Sequence, residues 1–298
     1  MRKSRFSIIF YFIFSFVTLT ASYSQPVTNY SWSLAPDSGK VYTHQHRSGM
    51  QKLGDDIIIA LQDWGKYLTY PLHMSGGDWA IGGAAFGSGL LISLADKKAT
   101  QQWSRGGSDD YHGDFWDFPT AYGFVIYGTV AAASAYLLGL AADDNSFRVT
   151  GRMLIESVGY SGSLNYVCKF IIGRERPYFS DNQYRFLAFR TNPDYQSLPS
   201  GHTTFAFAIS TVMAERIDTW WSRVFFYSLA GMTAYARIHN NMHWLSDTFF
   251  GGLLGFSSGW FVVHNENNRN KSVDKKGKSG GKFSLSPSPD GLTLSYAF

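Results

Sequence analysis

Three short blocks of this 298-residue chain hold residue types that could act together on an anion. They are Lys169 with Arg176-Pro177, Pro199-Ser200-Gly201-His202, and Arg237 with His243 and Asp247. Two histidines, three permanent cations and a helix N-terminus suit a phosphoryl dianion. The cations and amides would stabilise its equatorial oxygens, while one imidazole attacks phosphorus in line and the other protonates the leaving oxygen.

The first block predicts two cations at the end of a helix. Lys169 and Arg176 are seven residues apart, about two helical turns, so both should project from one helix face. Pro177 disfavours helix at the residue before it and predicts that the helix ends at Arg176. The alternative interpretation is a solvated basic stripe that also contains Arg174.

The second block predicts a helix start that binds an anion. Ser200 precedes an apolar run and is expected to be the N-cap, with the amides near Gly201 directed out of the helix. The positive end of the helix dipole lies at the same place. An ordinary serine cap followed by a surface histidine, His202, is the alternative.

The third block predicts a histidine oriented by a carboxylate. His243 and Asp247 have i, i+4 spacing, which on one helix face brings them within hydrogen-bond reach. The carboxylate would fix the imidazole tautomer and leave the other ring nitrogen able to attack. A metal site of His239, His243 and Asp247 is the alternative, but the neighbouring cations would repel a metal ion.

The three blocks together resemble a known superfamily. Lys-x6-Arg-Pro, Pro-Ser-Gly-His and Ser-Arg-x5-His-x3-Asp are shared by type 2 phosphatidic acid phosphatases, bacterial class A acid phosphatases and vanadium haloperoxidases. The surrounding SLPSGHTTFAF and HWLSDTFFGGLLG are also similar to its members, and the resemblance covers about Trp79 to Val263. Ala236 stands where the pattern has serine.

The resemblance implies a metal-independent phosphatase that needs no cofactor. His243 would be the nucleophile that forms a phosphohistidine, Asp247 would orient it, and His202 would be the general acid. The phosphate ligands would be Lys169, Arg176, Arg237, Ser200 and Gly201. A vanadate-dependent haloperoxidase and a catalytically silent anion-binding scaffold are alternatives. Lipid phosphates, isoprenoid diphosphates and soluble phosphomonoesters all fit such a pocket.

Apolar residues at helical spacing predict an all-α fold, a helical bundle with a short C-terminal β-hairpin. The expected order is a signal peptide (1–24), an extension with one amphipathic helix (25–76), the bundle (77–264), a flexible linker (265–282) and the hairpin (283–298). The polar loop 106–117 contains four aspartates and a histidine, and is expected to be solvated rather than a lid or a cation site.

Composition bears on partners and location. Charges are nearly balanced once the basic N-terminus is removed, so a nucleic-acid partner is not indicated. Cys168 is the only cysteine, which excludes a disulfide within the chain. Only Phe118–Ala142 exceeds the length of a bilayer span without a charge. The sequence therefore predicts a bundle of buried core helices, periplasmic or secreted, that can be purified without detergent or that clings to a membrane surface. A bundle that spans the bilayer is the alternative.

Overall fold

Helices form nearly all of the regular structure in the computed structural model, which describes residues 48–107, 113–278, 282–288 and 291–297. They are α1 (Gly49–Thr69), α2 (Gly76–Ser93), α3 (Asp96–Trp103), α4 (Asp117–Tyr122), α5 (Val125–Ala141), α6 (Asn145–Ile172), α7 (Gly201–Ile217), α8 (Trp220–His239) and α9 (Leu245–Lys278). Single 3-10 turns lie at Tyr70–His73 and Pro193–Tyr195. The all-α class is confirmed.

Local sequence sets where several of these helices begin and end. Ser48, Ser75 and Thr219 each cap a helix through a reciprocal capping box, which starts α1, α2 and α8. Helix α6 ends at Gly173, whose left-handed backbone (φ 60°) suits a residue without Cβ. The chain therefore leaves the helix three residues before Arg176, earlier than Pro177 alone predicts.

Small residues bring α7 and α9 together where the candidate site lies. A Cβ on Gly255 would lie 2.1 Å from the carbonyl oxygen of Thr204, and one on Gly251 would lie 2.6 Å from that of Ser200. Only glycine permits such an approach of two backbones. Behind this contact, buried Tyr122 shares a hydrogen bond with Ser210 in the apolar core. The start of α7 is thereby held against α9.

The chain divides into two compact units, with the boundary between Val262 and Val263. The second unit contains the end of α9 and two strands, β1 (Lys282–Ser288) and β2 (Gly291–Ala297). These strands pair antiparallel, with Lys282 opposite Ala297 and Ser288 opposite Gly291. The domain boundaries drawn from sequence stay predictions.

The longest uncharged run is divided between two helices. The uncharged run Phe118–Ala142 is not one helix, because the chain breaks at Gly123–Phe124 between α4 and α5. Within the described ranges no single helix is long and apolar enough to cross a membrane. The bent pair α2 and α3, which meet at 60°, passes that test together by length and composition.

Helix α2 is not the buried core helix that its composition predicts. Ile81 and Leu91 are 73% and 70% exposed, and Gly89 is its only buried residue. Its apolar residues surround the whole helix instead of forming one stripe, so a bundle cannot cover them all. Helix α2 is therefore an exception to the predicted bundle of buried core helices.

Several predictions fall partly or wholly on residues that are not described, among them residues 25–47 of the predicted extension. The signal peptide 1–24 lies outside the described ranges, as do Asp109, Asp110 and His112 of the polar loop. In the described part of that loop, Asp114 forms an ion pair with Arg105, and Asp117 accepts a hydrogen bond from the amide of Gly113.

Candidate active site

His243 and Asp247 meet at the start of α9. Helix α8 ends at His239 and α9 begins at Leu245, so His243 lies in the connecting turn and the predicted continuous helix face is wrong. The contact survives, because Asp247 in the first turn of α9 accepts a hydrogen bond from the amide of Trp244 at 2.9 Å. His243 Nδ1 then lies 3.7 Å from Asp247 Oδ2.

The other nitrogen of His243 faces the cations. Nε2 lies 3.5 Å from Arg176 Nη1, and the side chain is 2% exposed. Burial, followed by the charges of Arg176 and the other cations, holds the pKa of His243 well below its usual range, although Asp247 opposes the shift. The imidazole is therefore neutral near pH 7 and its Nε2 can act as a nucleophile.

Lys169 and Arg176 converge on one carbonyl oxygen. Lys169 Nζ donates to Gln196 O at 2.5 Å, and Arg176 Nη2 lies 3.5 Å from the same atom. Lys169 is in the last turn of α6, whereas Arg176 follows the helix end, so they do not share a helix face as predicted. Burial, then Arg176, lowers the pKa of Lys169.

The Ser200–His202 segment lies where the sequence places it. Ser200 is the N-cap of α7, but its side chain makes no capping bond and accepts instead from the hydroxyl of Thr203 at 3.0 Å. Since the helix begins at Gly201, the amides of its first turn have no acceptor within the helix. Ser200 and Gly201 thus form the predicted positive helix start.

His202 does not behave as a surface histidine. Its Nε2 is buried and finds no hydrogen-bond partner among the residues that the structure describes. Burial, followed by the charge of Arg237 and the nearby His243, lowers its pKa well below the usual value. An unpaired buried nitrogen of this kind is costly unless a ligand supplies its partner.

Arg237 is fixed close to the nucleophile. It is 1% exposed, and its carbonyl oxygen accepts hydrogen bonds from the amides of Met242 and His243 at 3.0 and 3.3 Å. Its charge lowers the pKa values of Lys169, His202 and His243. Ala236, at the serine position of the pattern, is fully buried in α8.

Sequence reasoning missed the residues behind Asp247. Arg174 is 2% exposed and donates through Nη1 to Asp247 Oδ1 and through Nη2 to Asp96 Oδ2, both at 2.7 Å. Ser197 donates to Asp247 Oδ2 at 2.5 Å. Arg174 is therefore not part of a solvated stripe, and the only sequence signal for Asp96 is a lone carboxylate that ends an uncharged run.

The charge balance of the cluster is suited to an anion. Burial alone would raise the pKa of Asp247, but the charge of Arg174, the nearby His243 ring and the hydrogen bond from Ser197 hold it below its usual range. Its negative charge is thus compensated by Arg174. Lys169, Arg176 and Arg237 leave an excess of positive charge around His243 that a phosphoryl dianion would offset.

The alternative metal ligand set does not assemble. His239 ends α8, its Nδ1 lies 3.0 Å from the carbonyl oxygen of Trp103, and its ring stacks on Tyr235. No group of three histidine, cysteine or acidic side chains suited to a metal occurs within the described residues. The geometry therefore does not support a site of His239, His243 and Asp247.

The fold is helical, and the candidate site places a buried histidine–carboxylate pair inside a cluster of cations. These features are typical of a class of phosphoryl-transfer site. Residues 151–271 match the family described as the PAP2 superfamily. This region contains all three motifs, and the resemblance that they give is confirmed.

Curated relatives include two lipid A 1-phosphatases. That of Porphyromonas gingivalis is 39% identical over 75 residues, covering 24% of this chain and 17% of the relative. That of Rhizobium etli is 33% identical over 115 residues, covering 38% of this chain and 47% of the relative. The chain thus spans less than half the length of either relative.

Two solved structures share more distant similarity. Aquifex aeolicus LpxE is 21% identical, with a TM-score of 0.39 over 52% of this chain and 88% of that one. A transmembrane PAP2 type phosphatidylglycerolphosphate phosphatase from Bacillus subtilis is 18% identical, with a TM-score of 0.39 over 62% of this chain and 95% of that one. The resemblance to the PAP2 superfamily rests on the match of residues 151–271 and on the motifs.

The lowered pKa values of His202 and His243 predict acid-sensitive stability. Each pKa is lower in the folded chain than in the unfolded one. The contribution of each histidine to the free energy of unfolding is therefore fully present above about pH 6.5. That contribution is lost as pH falls below this value, by up to about 1.4 kcal/mol per pH unit for each histidine. Urea unfolding between pH 5 and 8 in phosphate-free buffer measures this slope.

Inorganic phosphate supplies the control for that experiment. A bound dianion favours protonated histidines, so stabilisation by phosphate should grow as pH falls. A free energy of unfolding that is flat from pH 8 to 5, with and without phosphate, would contradict the lowered pKa values.

Proposed function

We propose that this protein is a metal-independent phosphatase that hydrolyses phosphate esters through a phosphohistidine on His243. One observation supports it above the others: His243 has Nδ1 facing Asp247 at 3.7 Å and Nε2 facing Arg176 at 3.5 Å. A neutral imidazole oriented by a carboxylate, with its second nitrogen among cations, is suited to attack phosphorus.

In the first step Nε2 of His243 attacks phosphorus and the bond to the ester oxygen breaks. His202 donates its proton to the departing oxygen, since a bound dianion raises the pKa that the empty site lowers. Lys169, Arg176 and Arg237, with Ser200 and the Gly201 amide, stabilise the equatorial oxygens. Asp247 stabilises the positive charge that the ring acquires when it carries the phosphoryl group.

In the second step water attacks the phosphohistidine. His202, now neutral, accepts a proton from that water, the Nε2–phosphorus bond breaks, and inorganic phosphate leaves. Both histidines return to their initial state. The site residues are thus used twice, and no step needs a metal or an organic cofactor.

We propose a phosphorylated lipid as the substrate class. The relatives that this chain resembles are lipid A 1-phosphatases. Exposed aromatic side chains also occur in the segment that contacts Arg176, among them Phe179 and Phe189, which are 49% and 65% exposed. Exposed apolar groups in this segment favour a substrate with acyl chains.

The leaving group provides the test of this function. Wild-type protein should release phosphate from both phosphatidate and an aryl phosphate. His202→Ala should lose at least about 10²-fold in kcat on phosphatidate, whose alkoxide needs a proton, and much less on the aryl phosphate. Equal losses on both substrates would show that His202 only binds, and absence of any phosphate release would contradict the proposal.

Two additions to the same assay separate the alternatives. EDTA should leave the activity unchanged, whereas a metal-dependent phosphohydrolase would lose it. Vanadate should inhibit phosphate release, because it mimics the transition state in the anion site. Vanadate-dependent halide oxidation would instead favour a haloperoxidase.

We also propose that the protein binds membranes through α2, and that it reaches the periplasm by the predicted signal peptide. Isolated apolar residues on a surface are ordinary, but a helix with most of its apolar side chains exposed is not. The purified chain should co-sediment with lipid vesicles and resist a high-salt wash. Replacing Ile81 and Leu91 by serine should weaken this binding, while the turnover of a soluble aryl phosphate stays unchanged. A wild-type chain that never sediments with vesicles would overturn this proposal.

The C-terminal hairpin over 283–298 stays a proposal as a separate element. No residue of the candidate site lies in it, so removal of residues 283–298 should not change the turnover of an aryl phosphate.

A further inference from the structure

The guanidinium of Arg174, behind the site, donates hydrogen bonds through all three of its nitrogens. Its Nε and Nη2 donate to the carbonyl oxygen of Gln183 at 3.0 and 2.7 Å. Nη1 donates to Ser246 Oγ at 2.8 Å and to Asp247 Oδ1. The plane is flanked by the rings of Phe186 and Trp244, each 5.6 Å from the guanidinium carbon. Arg174 therefore has a single fixed orientation.

Asp96 holds the other side of this guanidinium. It is fully buried at the first residue of α3, where α2 and α3 meet. Its Oδ2 accepts from Arg174 Nη2 at 2.7 Å and from Ser246 Oγ at 2.6 Å, and Oδ1 accepts from the Ser246 amide at 2.7 Å. Asp96 thus connects the junction of α2 and α3 to Ser246, the residue beside Asp247.

We infer that Asp96 and Arg174 are positioning residues, which act through Asp247 to hold His243 in its reactive orientation. The chain of contacts is continuous: Asp96 to Arg174, Arg174 to Asp247, and Asp247 to His243. This inference rests on the proposed function. Neither residue would touch substrate, so kcat should respond to their replacement while KM does not.

The pair also sets the charge that His243 experiences. Arg174 compensates Asp247, and Asp96 compensates part of Arg174, so the two residues act on His243 with opposite signs. The other ionisable groups that act on His243 or Asp247 are Lys169, Arg176, His202 and Arg237.

Because Asp96 and Arg174 carry opposite charges, their replacement should shift the pH profile in opposite directions, which a merely structural role would not do. Arg174→Met removes a positive charge, so the acid limb of kcat/KM should move to higher pH, by about 0.5 to 1 unit. Asp96→Asn removes a negative charge and should move the acid limb to lower pH, by a smaller amount. In the double variant, Asp96→Asn with Arg174→Met, the acid limb of kcat/KM should lie near that of wild type. Its kcat should still be at least about tenfold below the wild-type value.

Two further variants separate position from charge and from stability. Arg174→Lys keeps the charge without the planar fork, so it should keep the wild-type limb and recover part of kcat. Asp56→Asn is the matched control, because Asp56 is a buried carboxylate paired with Arg148 and Arg152 away from the site. It should lower stability without moving the limb.

NMR titration of the His243 ring protons gives the same shifts without turnover. A wild-type chain that releases no phosphate would therefore contradict the proposed function and leave this inference testable. Unchanged kcat and an unmoved His243 titration in Asp96→Asn would overturn the inference. So would shifts of the same sign in Asp96→Asn and Arg174→Met.

Discussion

His243→Ala should lower kcat by at least about 10³-fold on every phosphate ester that the wild-type chain hydrolyses. The reason is that the imidazole supplies the bond to phosphorus, and no other nucleophile lies at this position between Arg176 and Asp247 among the described residues. Steady-state kinetics on an aryl phosphate measures the loss. The fold should persist, because the substitution removes no charge pair that holds helices together.

His239→Ala is the matched control for that variant. His239 lies four residues earlier and its ring packs on Tyr235, but its Nδ1 faces the Trp103 carbonyl rather than the cations. It should retain activity within a few-fold of wild type. Comparable losses in both variants would favour the metal site that uses both histidines, and an active His243→Ala chain would remove His243 from the mechanism.

Asp247→Asn should lower kcat by roughly 10³-fold or more, as expected when the carboxylate that orients a catalytic imidazole becomes neutral. The phosphohistidine would lose the charge that stabilises it, and Arg174 would lose one of its two carboxylate partners. The free energy of unfolding should therefore also fall, by about 1–3 kcal/mol. Urea unfolding and steady-state kinetics measure the two effects separately.

Asp56→Asn again separates the two effects. It neutralises a buried carboxylate of a different ion-pair cluster and should reduce stability without a comparable loss of kcat. An Asp247→Asn chain that is destabilised yet turns over at the wild-type rate would show that Asp247 is structural only.

The clustering of the candidate site residues could be predicted because their types and order are a local property of three short segments. The structure brings Lys169, Arg176, His202, Arg237 and His243 together, as the motifs require. Their secondary structure was harder to predict. The i, i+4 spacing of His243 and Asp247 is satisfied by a turn followed by a helix start, a geometry with the same spacing as a continuous helix.

Arg174 and Asp96 could not be paired from one sequence. They are separated by 78 positions, and nothing local distinguishes a buried arginine in a basic segment from a solvated one. The exposure of α2 could not be predicted for the same reason. A run rich in glycine and apolar residues is typical of both a core helix and a helix that faces an apolar environment, and only the packing of neighbours separates the two.

The most direct measurement of the central claim is the identity of the residue that carries the phosphoryl group during turnover. The wild-type chain would be mixed with 32P-labelled substrate, quenched under denaturing alkaline conditions within the first turnover, and digested for peptide mapping. We expect label on the peptide that contains His243, stable to base and lost in acid, and absent from His243→Ala. Turnover at the wild-type rate with label on another residue, or with no covalent label at any quench time, would contradict the phosphohistidine mechanism.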